Sequence, residues 1–177
     1  EDYSPIDFEE HGQTAREIGT DGVVLLKNDD DVLPIDPDVD SIVILGPEHF
    51  AGQAKLGPNS PNINSVVEAP YTVSPVEGLR NVLDDIGSDA TVEYVQTEDV
   101  EEAAEAAAEA DVAVVIVGDL SVEGQDRPTL HLEDPDTYEE GQDGYGVIEI
   151  NQEDLIEAVA EANDNTVVVL KNGGPIL

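Results

Sequence analysis

Within the stretch Gly118 to Leu132, GDLSVEGQDRPTLHL, the side chains singled out as candidates for chemistry are Glu123, Asp126, Arg127 and His131. A carboxyl such as Glu123 donates or accepts a proton when its surroundings match its protonation state to the task. In a chain with 42 Asp and Glu, a solvated surface acid is the competing description of the same residue. Asp126-Arg127 also admits two readings. Arg16, Arg80 and Arg127 are the three arginines of the chain. A guanidinium placed in a loop suits a two-pronged contact either with a carboxylate, Asp126 among the candidates, or with a substrate. His131 lies near Glu123 in sequence and is a candidate to line the same pocket, since loops carry a disproportionate share of function.

Other chemistries lack their residues. There is no cysteine, which excludes disulfides and thiolate metal sites. The three histidines, His11, His49 and His131, fall in separate segments without paired spacing, so zinc ligation and activation of a nucleophile have no footing. No GxGxxG or Walker-type loop follows a strand; GPEHFAG after the second apolar run has other spacing and an acid where phosphate would approach. The loop DPDTYEEGQDG, from Asp134, puts Glu139 where a calcium-binding EF-hand needs glycine and Tyr145 where it needs a bidentate Glu. The EF-hand match fails, with a looser cation site in that loop still open; no metal and no organic cofactor are implied.

The elements that must position these side chains are legible as apolar runs. VVLLK (23–27), SIVILG (41–46), TVEYV (91–95), DVAVVIVG (111–118) and TVVVLK (166–171) read as strands, and their near-continuous apolarity suits parallel strands covered on both faces. Between them, FEEHGQTAREIG (8–19), the stretch from Ser74-Pro75-Val76-Glu77 to Ile86, TEDVEEAAEAAAEA (97–110) and NQEDLIEAVAEAN (151–163) read as helices. Ser74 and Glu77 form a capping box with Pro75 in the first turn, and Gly87 stops that helix. Leu155, Ile156, Val159 and Ala162 share one face of the last. This alternation predicts a single α/β domain over residues 1–177, with a doubly wound, mostly parallel sheet and helices on both faces, a three-layer sandwich. In such sheets ligands meet the loops beyond the carboxyl ends of strands. The segment from Gly118 to Ile150 leaves one such end and is longer than compact domains ordinarily carry without a use for it.

The 42 acidic side chains face 6 Lys and Arg, a net charge of −36, and they are scattered over every segment. That surface repels nucleic acid and anionic membranes, which are not expected partners. At molar salt the screening length falls to about 3 Å and self-repulsion largely vanishes, so the composition is expected of a soluble chain, cytoplasmic or secreted, from a halophilic organism. No apolar run approaches a membrane span and the N-terminus lacks a signal region. The absence of any Met, an initiator included, predicts processing or excision from something longer.

The motifs, taken in order, resemble the second, α/β sandwich domain of glycoside hydrolase family 3, which includes β-glucosidases and β-xylosidases. TAREIGTDGVVLLKNDDDVLPI is similar to the opening of that domain, SIVILGP to its first strand and APYTVSPVEGLR to its SPLEGL helix start. DVAVVIVGDLSVEGQDR resembles its ADVAVVVVG strand and following EG and DR loop, and QEDLIEAVAEANDNTVVVLKNGGPI its QxxLIxAV, NTVVVL and GGP series. The resemblance implies a retaining mechanism. An Asp on a separate N-terminal (β/α)8 barrel attacks the anomeric carbon, and a Glu of this domain, here Glu123, is acid/base. The two carboxyls then stand about 5 to 5.5 Å apart.

Asp126, Arg127 and His131, from their types and their place in this loop, are the candidate substrate-binding residues, and the implied substrate is a β-linked oligosaccharide or an aryl or alkyl glycoside. The implied partner is the barrel of the same parent protein. Without it the chain is expected to be catalytically silent, and the family domain continues with further strands beyond Gly173-Gly174-Pro175. Two departures stand out. GPNSPNINS replaces a glycine-rich turn, and the insertion LEDPDTYEEGQDGYGVIEIN supplies rival acids in Glu133, Glu139 and Glu140. The alternative function is a non-catalytic acidic carbohydrate-binding or scaffold domain left after loss of the barrel.

Overall fold

A computed structural model of the chain describes residues 6–52, 71–119, 127–137 and 148–177. The chain divides into two units, residues 1–31 and 32–177.

In the first unit, α1 spans Phe8–Asp21. Asp7 starts it by accepting hydrogen bonds from the amides of Glu9 and Glu10 at 3.1 and 3.0 Å, and Gly22 ends it. None of its side chains is buried. The expected strand over 23–27 does not form: the segment has no regular structure, and Val23, Val24, Leu25 and Leu26 are 63–79% exposed. Branched apolar residues favour extended backbone, yet a strand exists only where a neighbour takes up its amides and carbonyls.

The second unit holds a four-stranded parallel sheet, β1 (Ser41–Leu45), β2 (Thr91–Tyr94), β3 (Val112–Gly118) and β4 (Thr166–Lys171), in the spatial order β2-β1-β3-β4. The helices are α2 (Pro75–Ile86), α3 (Val100–Glu109) and α4 (Gln152–Ala162). Alternate residues of β1 and β3 feed two cores. Ile42, Ile44, Val112, Val114 and Ile116 pack with Val76 and Leu83 of α2 on one face. Val43, Leu45, Ala113, Val115 and Val117 pack with Ala103 and Ala107 of α3 and Leu155 and Val159 of α4 on the other. This is the expected three-layer α/β sandwich.

Helix boundaries follow the caps. Ser74 and Glu77 make both halves of the capping box, and Gly87 closes α2 in the left-handed conformation at φ 73°. The third helix begins later than its apolar pattern suggests because Asp99 takes the amides of Glu101 and Glu102, while its own amide donates to Thr97 Oγ1.

Two glycines let the carboxyl ends of the strands close up. A Cβ at Gly46, whose φ is +133°, would lie 2.1 Å from the Ile116 carbonyl oxygen, and one at Gly118 would lie 2.2 Å from that of Lys171. Beyond Gly46 the chain forms a π-helical turn, Glu48–Gly52, that sequence periodicity did not reveal. Its Phe50 and Ala51 are buried and lie over Gly118 and Gly46, in the crevice where strand order reverses and doubly wound sheets usually admit ligands. The Lys171 ammonium holds the turn by donating to the Phe50 carbonyl at 3.2 Å; burial pushes that amine's pKa down.

Candidate functional site

With that crevice filled by the chain itself, the polar groups gather one step outward, where β3 ends. Gln152, fully buried as the first residue of α4, fixes the strand terminus from both sides. Its Oε1 accepts from the Gly118 amide at 3.0 Å, while its Nε2 donates to the Gly118 carbonyl at 3.1 Å and to the Glu133 carbonyl at 2.8 Å. A buried amide this fully matched orders three chain segments at once, because leaving any of these groups unbonded in a dry interior is costly.

Asp119 follows directly. Its amide donates to the Lys171 carbonyl at 3.3 Å and its Oδ1 accepts from the Gly173 amide at 2.8 Å. Its Oδ2 meets Arg127 Nη1 at 3.0 Å, and Arg127 Nε meets Glu133 Oε1 at 3.1 Å. The side chains of this trio are 11% (Arg127), 2% (Asp119) and 0% (Glu133) exposed. Arg127 Nη1 also donates to the Pro175 carbonyl at 3.2 Å, and Nη2 to that of His131 at 3.0 Å. The Gly-Gly-Pro segment thereby acquires a physical role: Gly173 and Pro175 close over the ion pair from the end of β4.

Of the sequence-predicted site residues, Arg127 and His131 are described, whereas Glu123 and Asp126 lie outside the described residues. The structure joins Arg127 to the main chain of His131, and it turns the His131 ring away to an exposed pair with Glu153, Nδ1 to Oε1 at 3.0 Å. The same Glu153 oxygen accepts from the Leu132 amide at 3.3 Å. Among the rival acids, Glu133 is sealed in the ion-paired interior, where a glycosidic oxygen has no access, while Glu139 and Glu140 lie outside the described residues. Asp119 and Gln152 were not singled out by sequence reasoning. The available signals were an acid immediately after the most apolar strand and a polar residue opening a helix.

A cleft of about 640 Å³ lies elsewhere, between α2 and β2, lined by Ser74, Glu77, Arg80, Glu93 and Tyr94 among others. There Arg80 donates to the Val92 carbonyl, and burial, then the Glu48 charge, pushes the Tyr94 phenol up to about 12. Among the described residues, no three His, Asp or Glu side chains are grouped to hold a metal ion.

The family model "Glycosyl hydrolase family 3 C-terminal domain" matches residues 23–177. Probable beta-glucosidase L of Emericella nidulans is 30% identical over 94% of the chain, and a beta-xylosidase of Formosa agariphila is 29% identical over 95%. The crystal structure of the GH3 beta-glucosidase of Bifidobacterium adolescentis superposes over 99% of the chain with a TM-score of 0.71 at 28% identity. The chain spans 22–24% of the length of these three proteins.

Proposed function

The chain belongs to the glycosyl hydrolase family 3 C-terminal domain family, and on that premise we propose that it is the second domain of a retaining β-glycosidase, supplying the acid/base carboxyl through Glu123. The substrate is a β-linked oligosaccharide or an aryl or alkyl glycoside, and the nucleophilic Asp comes from a (β/α)8 barrel of the same parent protein. The observation that carries the reading is the anchoring of residues 119 and 127. Both ends of the segment that bears Glu123 are tied by buried bonds to the carboxyl edge of the sheet, where α/β folds present their reactive groups. Glu123 would protonate the departing glycosidic oxygen and then, as carboxylate, deprotonate the water that releases the sugar. Asp126 and His131 flank it in sequence as candidate contacts to substrate hydroxyls. We also propose that the scattered acid is an adaptation to concentrated salt, as expected of a halophile, supported by a net charge of −36 borne by every segment.

The test is Glu123→Gln in the domain joined to its barrel. Hydrolysis of substrates with poor leaving groups should fall about 100-fold or more, because they need the proton, while activated aryl glycosides are spared in the first step. Equal loss on both substrate types, or no loss, would sink the assignment.

A further inference from the structure

Of the asparagines in the chain, Asn172 alone is followed by glycine, in the run Lys171-Asn172-Gly173-Gly174 that leaves β4. An asparagine so placed reacts with its own main chain. The nitrogen of the next residue attacks the side-chain carbonyl, and a glycine, having no Cβ, hinders that nitrogen least. A bond forms between the Gly173 nitrogen and Asn172 Cγ, the Cγ–Nδ2 bond breaks, and the amide nitrogen leaves as ammonia with the proton that Gly173 gives up. Water then opens the cyclic imide at either carbonyl, leaving aspartate or isoaspartate at position 172. Asn172 is exposed, so that water has access.

The fold restrains both reacting groups. The Gly173 N–H, whose proton must leave, donates to Asp119 Oδ1 at 2.8 Å, and Asn172 Nδ2 donates to the Gly174 carbonyl at 2.7 Å. Asp119 is itself fixed, with its side chain 2% exposed and its other oxygen 3.0 Å from Arg127 Nη1. Electrostatics act in the same direction. A nitrogen stripped of its proton is an anion, and an anion is disfavoured beside a carboxylate. Arg127 does not cancel this, because its single positive charge is shared between two carboxylates, Asp119 and Glu133.

We propose that Asn172-Gly173 is a latent site of spontaneous deamidation, held closed by the hydrogen bond from the Gly173 amide to the buried Asp119 carboxylate. When the turn after β4 opens locally that bond is released, and the rate of modification follows the open population. Isoaspartate adds an atom to the main chain just before Gly173, which draws the amide out of register with Asp119 and keeps the turn from closing again.

The experiment ages the full-length protein at neutral pH, in salt that keeps it folded, and follows deamidation and isoaspartate at position 172 by peptide mass spectrometry. It compares the native protein, the protein unfolded in urea, Asp119→Asn, and Leu83→Ala, a cavity in the α2 core that leaves residues 119 and 171–175 unchanged. Unfolding should speed the reaction at Asn172 about 10- to 100-fold and Asp119→Asn about 10-fold, the change in open population when a hydrogen bond to a charged group is lost or weakened. Leu83→Ala should lower the melting temperature yet leave the rate within about twofold, because the turn opens without the core. Equal rates in the native and unfolded protein would overturn the proposal. So would an Asp119→Asn rate no faster than native, a slower one marking Asp119 as the base that promotes attack. Acceleration by Leu83→Ala to match Asp119→Asn would also overturn it, since global unfolding would then be the gate. Where Asp119→Asn does not fold, hydrogen exchange of the Gly173 amide in the native protein decides: protection of about 10-fold or more over the unfolded chain supports the latch, and exchange at the unfolded rate refutes it.

Discussion

At the scale of single residues, position decides what a carboxylate does in a chain that has 42 of them. Glu133 is buried and matched by an arginine, whereas Asp111 stays exposed and takes the amides of Asp40 and Ser41 and the Ser41 hydroxyl, which together hold its pKa below the ordinary 3.8. Glu149 has the opposite environment. A hydrogen bond and charge repulsion from Glu98, with smaller effects from burial and Glu48, raise its pKa above 4.5. A carboxyl raised in the folded state stabilises the fold fully below its unfolded pKa, and that contribution is lost as pH rises through the folded value. At neutral pH the ionised Glu149 therefore opposes folding. Glu149→Gln should raise the melting temperature at pH 7, and the gain should vanish as pH is lowered through and below 4.5. A gain that persisted at pH 3.5, or a loss at pH 7, would contradict the repulsion.

At the scale of elements, the helices work through narrow apolar stripes laid on a sheet apolar on both faces. Leu155 of α4 is 1% exposed and sits with Val159 against α3, β1 and β3. Leu155→Ala should cost about 2–5 kcal/mol in urea unfolding, the range for a buried leucine that leaves a cavity; a loss under about 1 kcal/mol would mean that the core collapses around it. The sheet strands and the four α-helices of the described residues were legible because apolar runs and caps are local signals, and the capping box of α2 appears residue for residue as its sequence implies. VVLLK carries the same signal as β1 and is not a strand, because what differs is a partner, which no local pattern records. The π-helical turn was illegible for a related reason: Phe50 and Ala51 are buried by the close approach of Gly46 to β3, a contact spanning dozens of residues. The candidate site divides along the same line. Arg127 was visible as a rare cation in a loop, while its partners at 119, 133 and 175 are set by where β3 and β4 end.

At the scale of the whole molecule, three of the six cations go to joints of the fold and not to neutralising its surface. Arg127 binds two buried carboxylates, Arg80 donates to the carbonyl of Val92, and Lys171 to that of Phe50. Lys27 makes an exposed pair with Asp29, with side chains 76% and 77% accessible, a geometry that contributes little. Most of the net −36 is thus left to be screened by solvent ions. The screening length falls from about 10 Å at 0.1 M salt to about 3 Å at 1 M, so repulsion among neighbouring surface acids should weaken steeply over that interval. The expected outcome is a melting temperature that climbs by about 5 °C or more between 0.1 and 1 M KCl, as about 1–2 kcal/mol of relieved repulsion would produce in a domain of this size. Buried ion pairs such as Arg127 with Asp119 are screened far less and should not offset the gain. A melting temperature flat across that range, or full stability in dilute buffer without added cations, would refute adaptation to salt and require another account of the acid.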